Sequence, residues 1–193
     1  MKQLLLLISL GINRIESFKF MPHLNIEFKA RVEAIEPYEN LLRSLNPEFR
    51  GLDHQIDTYF NASHGRLKLR EGNIENALIQ YERSDYAGAK SSTVTLYNHQ
   101  PHPALKAILT QQLGVKVVVD KQRKIYFIEN VKFHFDIVAG LGHFIEVEAI
   151  AQDESISKAE LQKQCDYYID FFKIQPAQFV EQSYSDLLLA HTG

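Results

Sequence analysis

From residue 24 onward the chain switches between two hydrophobic periods, and the switches mark out its elements. In "LNIEFKARV" the residues Ile26, Phe28, Ala30 and Val32 fall on one face and Asn25, Glu27, Lys29 and Arg31 on the other, the pattern of a strand with one buried face. Ile35, Tyr38, Leu41, Leu42 and Leu45 then recur at helical spacing, with Pro37 near the start, where a missing N–H is tolerated. Strand-like segments follow at about 55–60, 66–70, 77–83 and 92–97, and residues 104–113 predict a second helix that stops at Gly114. Strands at about 116–128, 131–138 and 143–150, joined by turns at "ENV" and "GLG", predict an antiparallel meander. The tail from Ser157 to Phe172, with "SYSDLLLA" after it, reads as helical. The sum is an α+β fold without internal repeats, heptads or low-complexity linkers.

The 193 residues suit one domain with a sizeable core, placed at 21–193. The apolar run Leu4 to Leu10 is too short to span a bilayer, and no small-residue cleavage site follows it. Met21 directly precedes the first patterned strand, so residues 1–20 are read as an N-terminal extension outside the fold. With 21 Lys and Arg against 24 Asp and Glu the net charge is −3, which argues against nucleic acid or membrane as a general partner. Any basic function is therefore local. A single cysteine, Cys165, forms no internal disulfide, fits a reducing cytoplasm and is read as a helix-packing residue.

What rises above a plain α+β domain is that several strands carry charges at every second position. Glu27 and Lys29 share a face, as do Lys68 and Arg70 in "GRLKLR", Lys121 and Arg123, and Glu146 and Glu148; Asp136 shares its face with Lys132 and His134. A sheet facing water also shows polar residues at period two. Here the opposite faces are strongly apolar and the charges are grouped, cations on some strands and carboxylates on others, which suggests the lining of a polar cavity. Clustered Lys and Arg are costly alone but favourable around an anion with several charges, such as a phosphate chain. The carboxylates need a divalent cation, because Mg²⁺ takes one or two of them together with substrate phosphates. Setting Lys29, Lys68, Arg70, Arg83, Lys121 and Arg123 against Glu27, Asp136, Glu146 and Glu148 leaves two positive charges. One divalent cation raises this to the roughly four charges that match a triphosphate.

The succession "NIEFK", "DTYFN", "GRLKLR", "YERSD", "DKQRKIY", "FDIVAGLGHFIEVE" and "SYSDLL" resembles the cyclase/thiamine-triphosphatase (CYTH) domain, and within it the branch related to class IV adenylate cyclases. The resemblance covers about residues 22–188 and is most specific from "FDIVAGLG" into "FIEVE". It implies an eight-stranded antiparallel barrel open at both ends, with flanking helices. Inside, Lys and Arg would hold a triphosphate, and acidic residues would hold Mg²⁺ or Mn²⁺. Carried over by motif, Lys29, Lys68, Arg70, Lys121 and Arg123 match the substrate-binding cations, and Arg83 fits a following basic position. Lys29 and Arg123 are the expected catalytic residues. Glu27, Asp136, Glu146 and Glu148 match the metal side.

The activity so implied is that of a class IV adenylate cyclase, converting ATP to cyclic AMP and pyrophosphate. The alternatives are a triphosphatase acting on inorganic, nucleoside or thiamine triphosphate, and a non-catalytic polyphosphate-binding module. Asn25 stands where the family's E-x-E-x-K signature has its first Glu. Its amide can still ligate a hard cation but supplies no charge, a departure that favours the binding module. The expected partner is a triphosphate-bearing small molecule, with a homodimer as the expected assembly. His99 and His102 in "NHQPHP" have a spacing compatible with a metal but lie on a Pro-containing loop without a Cys or carboxylate cluster. Gly140 and Gly142 are read as a hairpin turn, and neither a Walker A motif nor a dinucleotide fingerprint is present.

Overall fold

The computed structural model describes residues 23–83, 90–151 and 155–191, so the extension expected over residues 1–20 lies outside the described part. Eight strands form an antiparallel barrel: β1 (His23–Val32), β2 (Glu48–Phe60), β3 (Arg66–Gly72), β4 (Ala77–Arg83), β5 (Lys90–Asn98), β6 (Val115–Ile128), β7 (Val131–Val138) and β8 (Gly142–Ile150). α1 (Glu36–Arg43) follows β1 and α2 (Pro103–Leu113) follows β5. After β8 come α3 (Lys158–Phe171), a 3₁₀ turn (Pro176–Gln178) and α4 (Tyr184–His191). The order around the wall is β1-β5-β4-β3-β2-β6-β7-β8, and the ring closes because β1 pairs with both β5 and β8. The meander expected from the last three strands is β6-β7-β8. β2 begins at Glu48 and not near Gln55, because its early residues pair with the end of β6 while staying exposed, so no apolar alternation announces them.

The alternating faces are used inside out. The apolar face of β1 (Ile26, Phe28, Ala30, Val32) joins Phe133 and Phe135 of β7 and Ile145 and Val147 of β8 in a core outside the barrel wall, packed beneath Leu161, Cys165 and Tyr168 of α3. The polar faces of the same strands are thereby turned inward. Cys165 is fully buried in that layer, as read from sequence, with its thiol on the Ile26 carbonyl. Ser157 caps α3 and Glu160 returns the bond to the Ser157 backbone, which satisfies the exposed donors of the first turn.

Two further elements bear on the interior. α1 is anchored by the buried Glu39, which accepts hydrogen bonds from Arg43 (2.8 Å), Lys124 (2.6 Å) and the Tyr126 hydroxyl (2.6 Å). A second apolar cluster, Tyr59, Val119, Val138, Leu141, Phe144 and Tyr184, packs with Leu187 and Leu188 of α4. Tyr59, Val119, Val138 and Phe144 lie on the same strand faces as Asp57, Lys121, Asp136 and Glu146, so this cluster fills one end of the interior.

Candidate active site

Strand register assembles a cavity of about 600 Å³ inside the barrel. Across β1 and β8, Glu27 faces Glu148 and Lys29 faces Glu146; across β7 and β8, Lys132 faces Glu148 and His134 faces Glu146. On the other side Arg70 of β3 faces Asp57 of β2, and Lys121 of β6 faces Gln55. The period-two charges of separate strands thus meet in shared layers.

The cationic half is organised by Asp57, only 1% exposed. Its Oδ1 accepts from Arg70 Nε at 2.8 Å, and its Oδ2 from Arg70 Nη2 and Lys68 Nζ at 3.0 Å and from Lys121 Nζ at 2.6 Å. Burial alone would raise this carboxyl, but Arg70, Lys121 and Lys68 hold it well below the usual range. Burial also pushes the Lys121 amine down to about 7, against the pull of Asp57 and with the help of Arg70 and Arg123. A second carboxylate enters from the β3–β4 turn: Glu75 accepts from Arg70 Nη1 (2.9 Å), Lys132 Nζ (2.5 Å) and Gln55 Nε2 (3.0 Å). Buried Asp53 pins that turn by accepting the Ile74 and Glu75 N–H groups. A Cβ on Gly72 would come within 2.8 Å of the Asp53 carboxylate, so glycine is required there.

Facing them, His134, Glu146 and Glu148 place one ligand atom each within 4.8 Å of one another. Glu146 also holds Lys29 Nζ (3.1 Å), Arg123 Nη2 (2.7 Å) and His134 Nδ1 (3.3 Å). Burial, with Arg123 and Lys132 nearby, lowers His134 to about 3, so its ring is neutral at physiological pH. Burial together with Glu146 pushes Glu148 up to about 7, a surplus of negative character that a cation would relieve. The amide Oδ1 of Asn25, which also lines the cavity, is buried without a hydrogen-bond partner. An N,O,O donor set, whose two carboxylates line the same cavity as a bare amide oxygen, fits a divalent cation.

The residues expected from sequence are placed as follows. Glu27, Lys29, Lys68, Arg70, Lys121, Arg123, Glu146 and Glu148 all line the cavity. Asp136 does not. It is sealed behind Arg123, accepting from its Nε (2.7 Å) and Nη2 (2.5 Å) and from the Tyr184 hydroxyl (2.8 Å), so its oxygens orient Arg123 and Tyr184. The Arg83 backbone pairs with Ser92, and its side chain lies outside the described part. His102 caps α2 while His99 lines the cavity, so the two imidazoles serve separate ends. Asp57, Glu75, Lys132, His134 and Tyr184 are the functional positions to which the sequence reading assigned no ligand or metal role, and Asp57, Glu75 and Lys132 change the charge count. Among the described residues six cations line the cavity (Lys29, Lys68, Arg70, Lys121, Arg123 and Lys132) against five carboxylates (Glu27, Asp57, Glu75, Glu146 and Glu148), and the sealed Asp136 behind Arg123 makes a sixth. The surplus of two positive charges counted from sequence is absent from this set.

Solved structures share the barrel. A protein from Pyrococcus horikoshii OT3, PH1012, matches at 23% identity and a TM-score of 0.69, covering 84% of this chain and 98% of its own. A candidate adenylate cyclase from Vibrio parahaemolyticus matches at 18% identity and a TM-score of 0.69, with coverage of 88% and 99%. A candidate adenylyl cyclase from Hippeastrum, whose dominant activity is as a triphosphatase, matches at 12% identity and a TM-score of 0.57, with coverage of 88% and 96%. No curated protein matches the sequence. The CYTH domain model matches residues 23–173, from the first strand of the barrel through the helix that covers it, and the chain belongs to the CYTH domain family.

Proposed function

We propose that this protein is a metal-dependent enzyme that binds a triphosphate in the barrel and acts as a class IV adenylate cyclase, releasing cyclic AMP and pyrophosphate from ATP. The observation that carries this reading is the gathering of Lys68, Arg70 and Lys121 on one buried carboxylate, in the same cavity as Glu146 and Glu148, which form a three-ligand cluster with the buried His134. Cations held in this way are preorganised to donate to phosphate oxygens without reorganising when the ligand arrives.

Glu146, Glu148 and His134, with Glu27 and the Asn25 amide on the neighbouring strand, would hold Mg²⁺ or Mn²⁺. When bound, such an ion neutralises phosphate oxygens and the charge that develops on the leaving group. The chain's own groups do the rest. Lys68, Arg70 and Lys121 fix the phosphate chain. Lys29, between Glu146 and the Tyr184 ring at 4.2 Å, presents an ammonium at the junction of the two halves. Arg123, locked by Asp136 and Glu146, keeps its guanidinium in one orientation at the cavity wall, where it would meet a phosphate oxygen. In the cyclase the ribose 3′-hydroxyl gives up its proton to solvent as its oxygen bonds to the α-phosphorus, the bond from that phosphorus to the bridging oxygen breaks, and pyrophosphate leaves.

A triphosphatase is the second reading, supported by the Hippeastrum relative: water attacks the terminal phosphorus in the same cage. The test is to incubate purified protein with Mg²⁺ or Mn²⁺ and ATP, tripolyphosphate or thiamine triphosphate, and to identify products chromatographically. Cyclic AMP supports the cyclase and orthophosphate the triphosphatase. No turnover of any of the three refutes the enzymatic reading.

A further inference from the structure

Resting on the triphosphate reading, we propose that Glu75 is a displaceable internal anion: in the free protein its carboxylate takes the place of a phosphate between Arg70 and Lys132, and an entering ligand must expel it. Glu75 thereby sets how strongly charged an anion must be to enter the cavity.

The position of the carboxylate comes from its turn. Along β2 the interior runs from Tyr59 in the packed cluster through Asp57 to Gln55, and these face Lys68, Arg70 and Gly72 of β3 in turn. The β3–β4 turn that follows Gly72 therefore lies at the end opposite the Tyr59 cluster. Around the wall β7 is three strands from β3, about 14 Å, so the bond from Lys132 to Glu75 crosses the interior instead of following the wall. The turn itself is fixed, because Asp53 accepts the Ile74 and Glu75 N–H groups and the Asn76 amide exchanges bonds of 3.0 and 2.9 Å with the Gly72 backbone. What is left to move is the side chain.

Two carboxylates share Arg70, and they are not equivalent. Asp57 takes Nε and Nη2 with its side chain 2% exposed, whereas Glu75 takes Nη1 with its side chain 26% exposed and has solvent to turn into. Without Glu75, Arg70 stays clamped on Asp57 and Gln55 stays on Asp53 at 2.7 Å. Arg70 Nη1 and Lys132 Nζ then become open donors on the cavity wall. Against its burial, Lys132 and Arg70 hold the Glu75 carboxyl well below the usual carboxylate range, so it is an anion at physiological pH.

A second anion does not fit beside it. A phosphate on Arg70 Nη1 and Lys132 Nζ would overlie the Glu75 oxygens, and like charges repel strongly where little water screens them. The charge count points the same way. With Glu75 turned out, the six cations face Glu27, Asp57, Asp136, Glu146 and Glu148, a surplus of one. A divalent cation raises this to three, nearer to the roughly four charges of a triphosphate than the two left with Glu75 in place. Orthophosphate brings too little charge to expel a carboxylate already held by two cations.

The experiment is a calorimetric titration of orthophosphate and of an imido-bridged, non-hydrolysable tripolyphosphate, each with Mg²⁺, into the full-length wild type, Glu75→Gln and Glu75→Asp, with thermal unfolding of each protein. The amide keeps the size of the side chain and an acceptor oxygen. Aspartate keeps the charge but is one methylene too short to span Arg70 and Lys132, and it carries the test where the amide variant does not fold. Glu75→Gln should lower Tm yet tighten the tripolyphosphate analogue by roughly tenfold, the factor gained when a competitor filling the site about nine-tenths of the time is removed. Orthophosphate binding should become detectable, and Glu75→Asp should tighten the analogue by less; binding seen only in the variants supports the proposal equally. An affinity for the analogue that is unchanged, or that falls together with Tm, would overturn the internal anion while leaving the triphosphate site standing. Binding of the analogue to neither the wild type nor the variants would overturn the triphosphate reading and this inference with it.

Discussion

Replacing Asp57 by Asn is the sharpest perturbation of the cation cluster, because the side chain keeps its shape and loses only its charge. In the wild type Asp57 compensates three cations through four hydrogen bonds of 2.6–3.0 Å, and Lys121 beside it is 2% exposed. Removing one partner from such a buried set costs about 3–5 kcal/mol, since the cations left behind keep their desolvation penalty without their counter-charge. Part of the loss is returned by Lys121, which already sits at about 7 and sheds its proton readily, so the lower end of the range is expected near pH 8. For a chain of this size, that corresponds to a fall in Tm of about 6–20 °C. A bound triphosphate supplies the missing negative charge, so it should restore more stability to Asp57→Asn than it adds to the wild type. Thermal unfolding followed by circular dichroism, with and without tripolyphosphate and Mg²⁺, reads both effects. An unchanged Tm, or equal stabilisation of the two proteins by the ligand, would refute the view that Asp57 holds the cations ready for an anion.

Other perturbations follow from the same geometry. Lys68→Ala should weaken triphosphate binding by roughly tenfold or more, corresponding to about 1.5–3 kcal/mol for a charge-assisted contact, and calorimetry against the wild type checks this. Because an anion raises the pKa of Lys121 from about 7, triphosphate binding at pH 8 should take up a proton and weaken as pH rises further; titration in buffers of different ionisation enthalpy detects the uptake. Glu39, held at about 2 against burial by Lys124, Tyr126 and Arg43, lies below its unfolded value. Its stabilisation of about 3 kcal/mol is therefore complete above the ordinary carboxylate range and is lost as pH falls toward 2. Acid titration of the unfolding free energy should lose this component in Glu39→Gln. Asn25→Glu should lower the Mn²⁺ concentration needed for binding and Glu146→Gln should raise it, as read by the paramagnetic signal of free Mn²⁺.

Much of this site was legible because barrel strands expose their chemistry at period two. Lys68 with Arg70, Lys121 with Arg123, and Glu146 with Glu148 alternate with buried apolar residues such as Leu69, Ile145 and Val147, so their faces could be read directly. Asp57 could not. It lies in "DTYF", where Asp57, Thr58, Tyr59 and Phe60 are all buried, and a strand covered on both faces shows no alternation. Glu75 sits in "GNIEN", which has the composition of an exposed turn; the Asp53 hydrogen bonds to the turn, with Arg70, Lys132 and Gln55 on its carboxylate, hold it inward. Asp136 shows the opposite case. Its spacing matches that of the carboxylates lining the cavity, yet Arg123 and Tyr184 cover it, and the contribution of Tyr184 from a distant helix is invisible to local pattern.

The central claim is that the cavity takes a triphosphate together with a divalent cation, since its six described cations are already matched by the five carboxylates that line it and by Asp136 behind Arg123, and an anion alone is left uncompensated. The most direct measurement is the calorimetric affinity of ATP for the wild type with Mn²⁺ present and with the metal removed by chelation. The account predicts an affinity at least tenfold higher with Mn²⁺, and by reciprocity the same factor for Mn²⁺ binding when a non-turnover triphosphate analogue is bound. An ATP affinity that is indifferent to metal and unaffected by Lys68→Ala would contradict it.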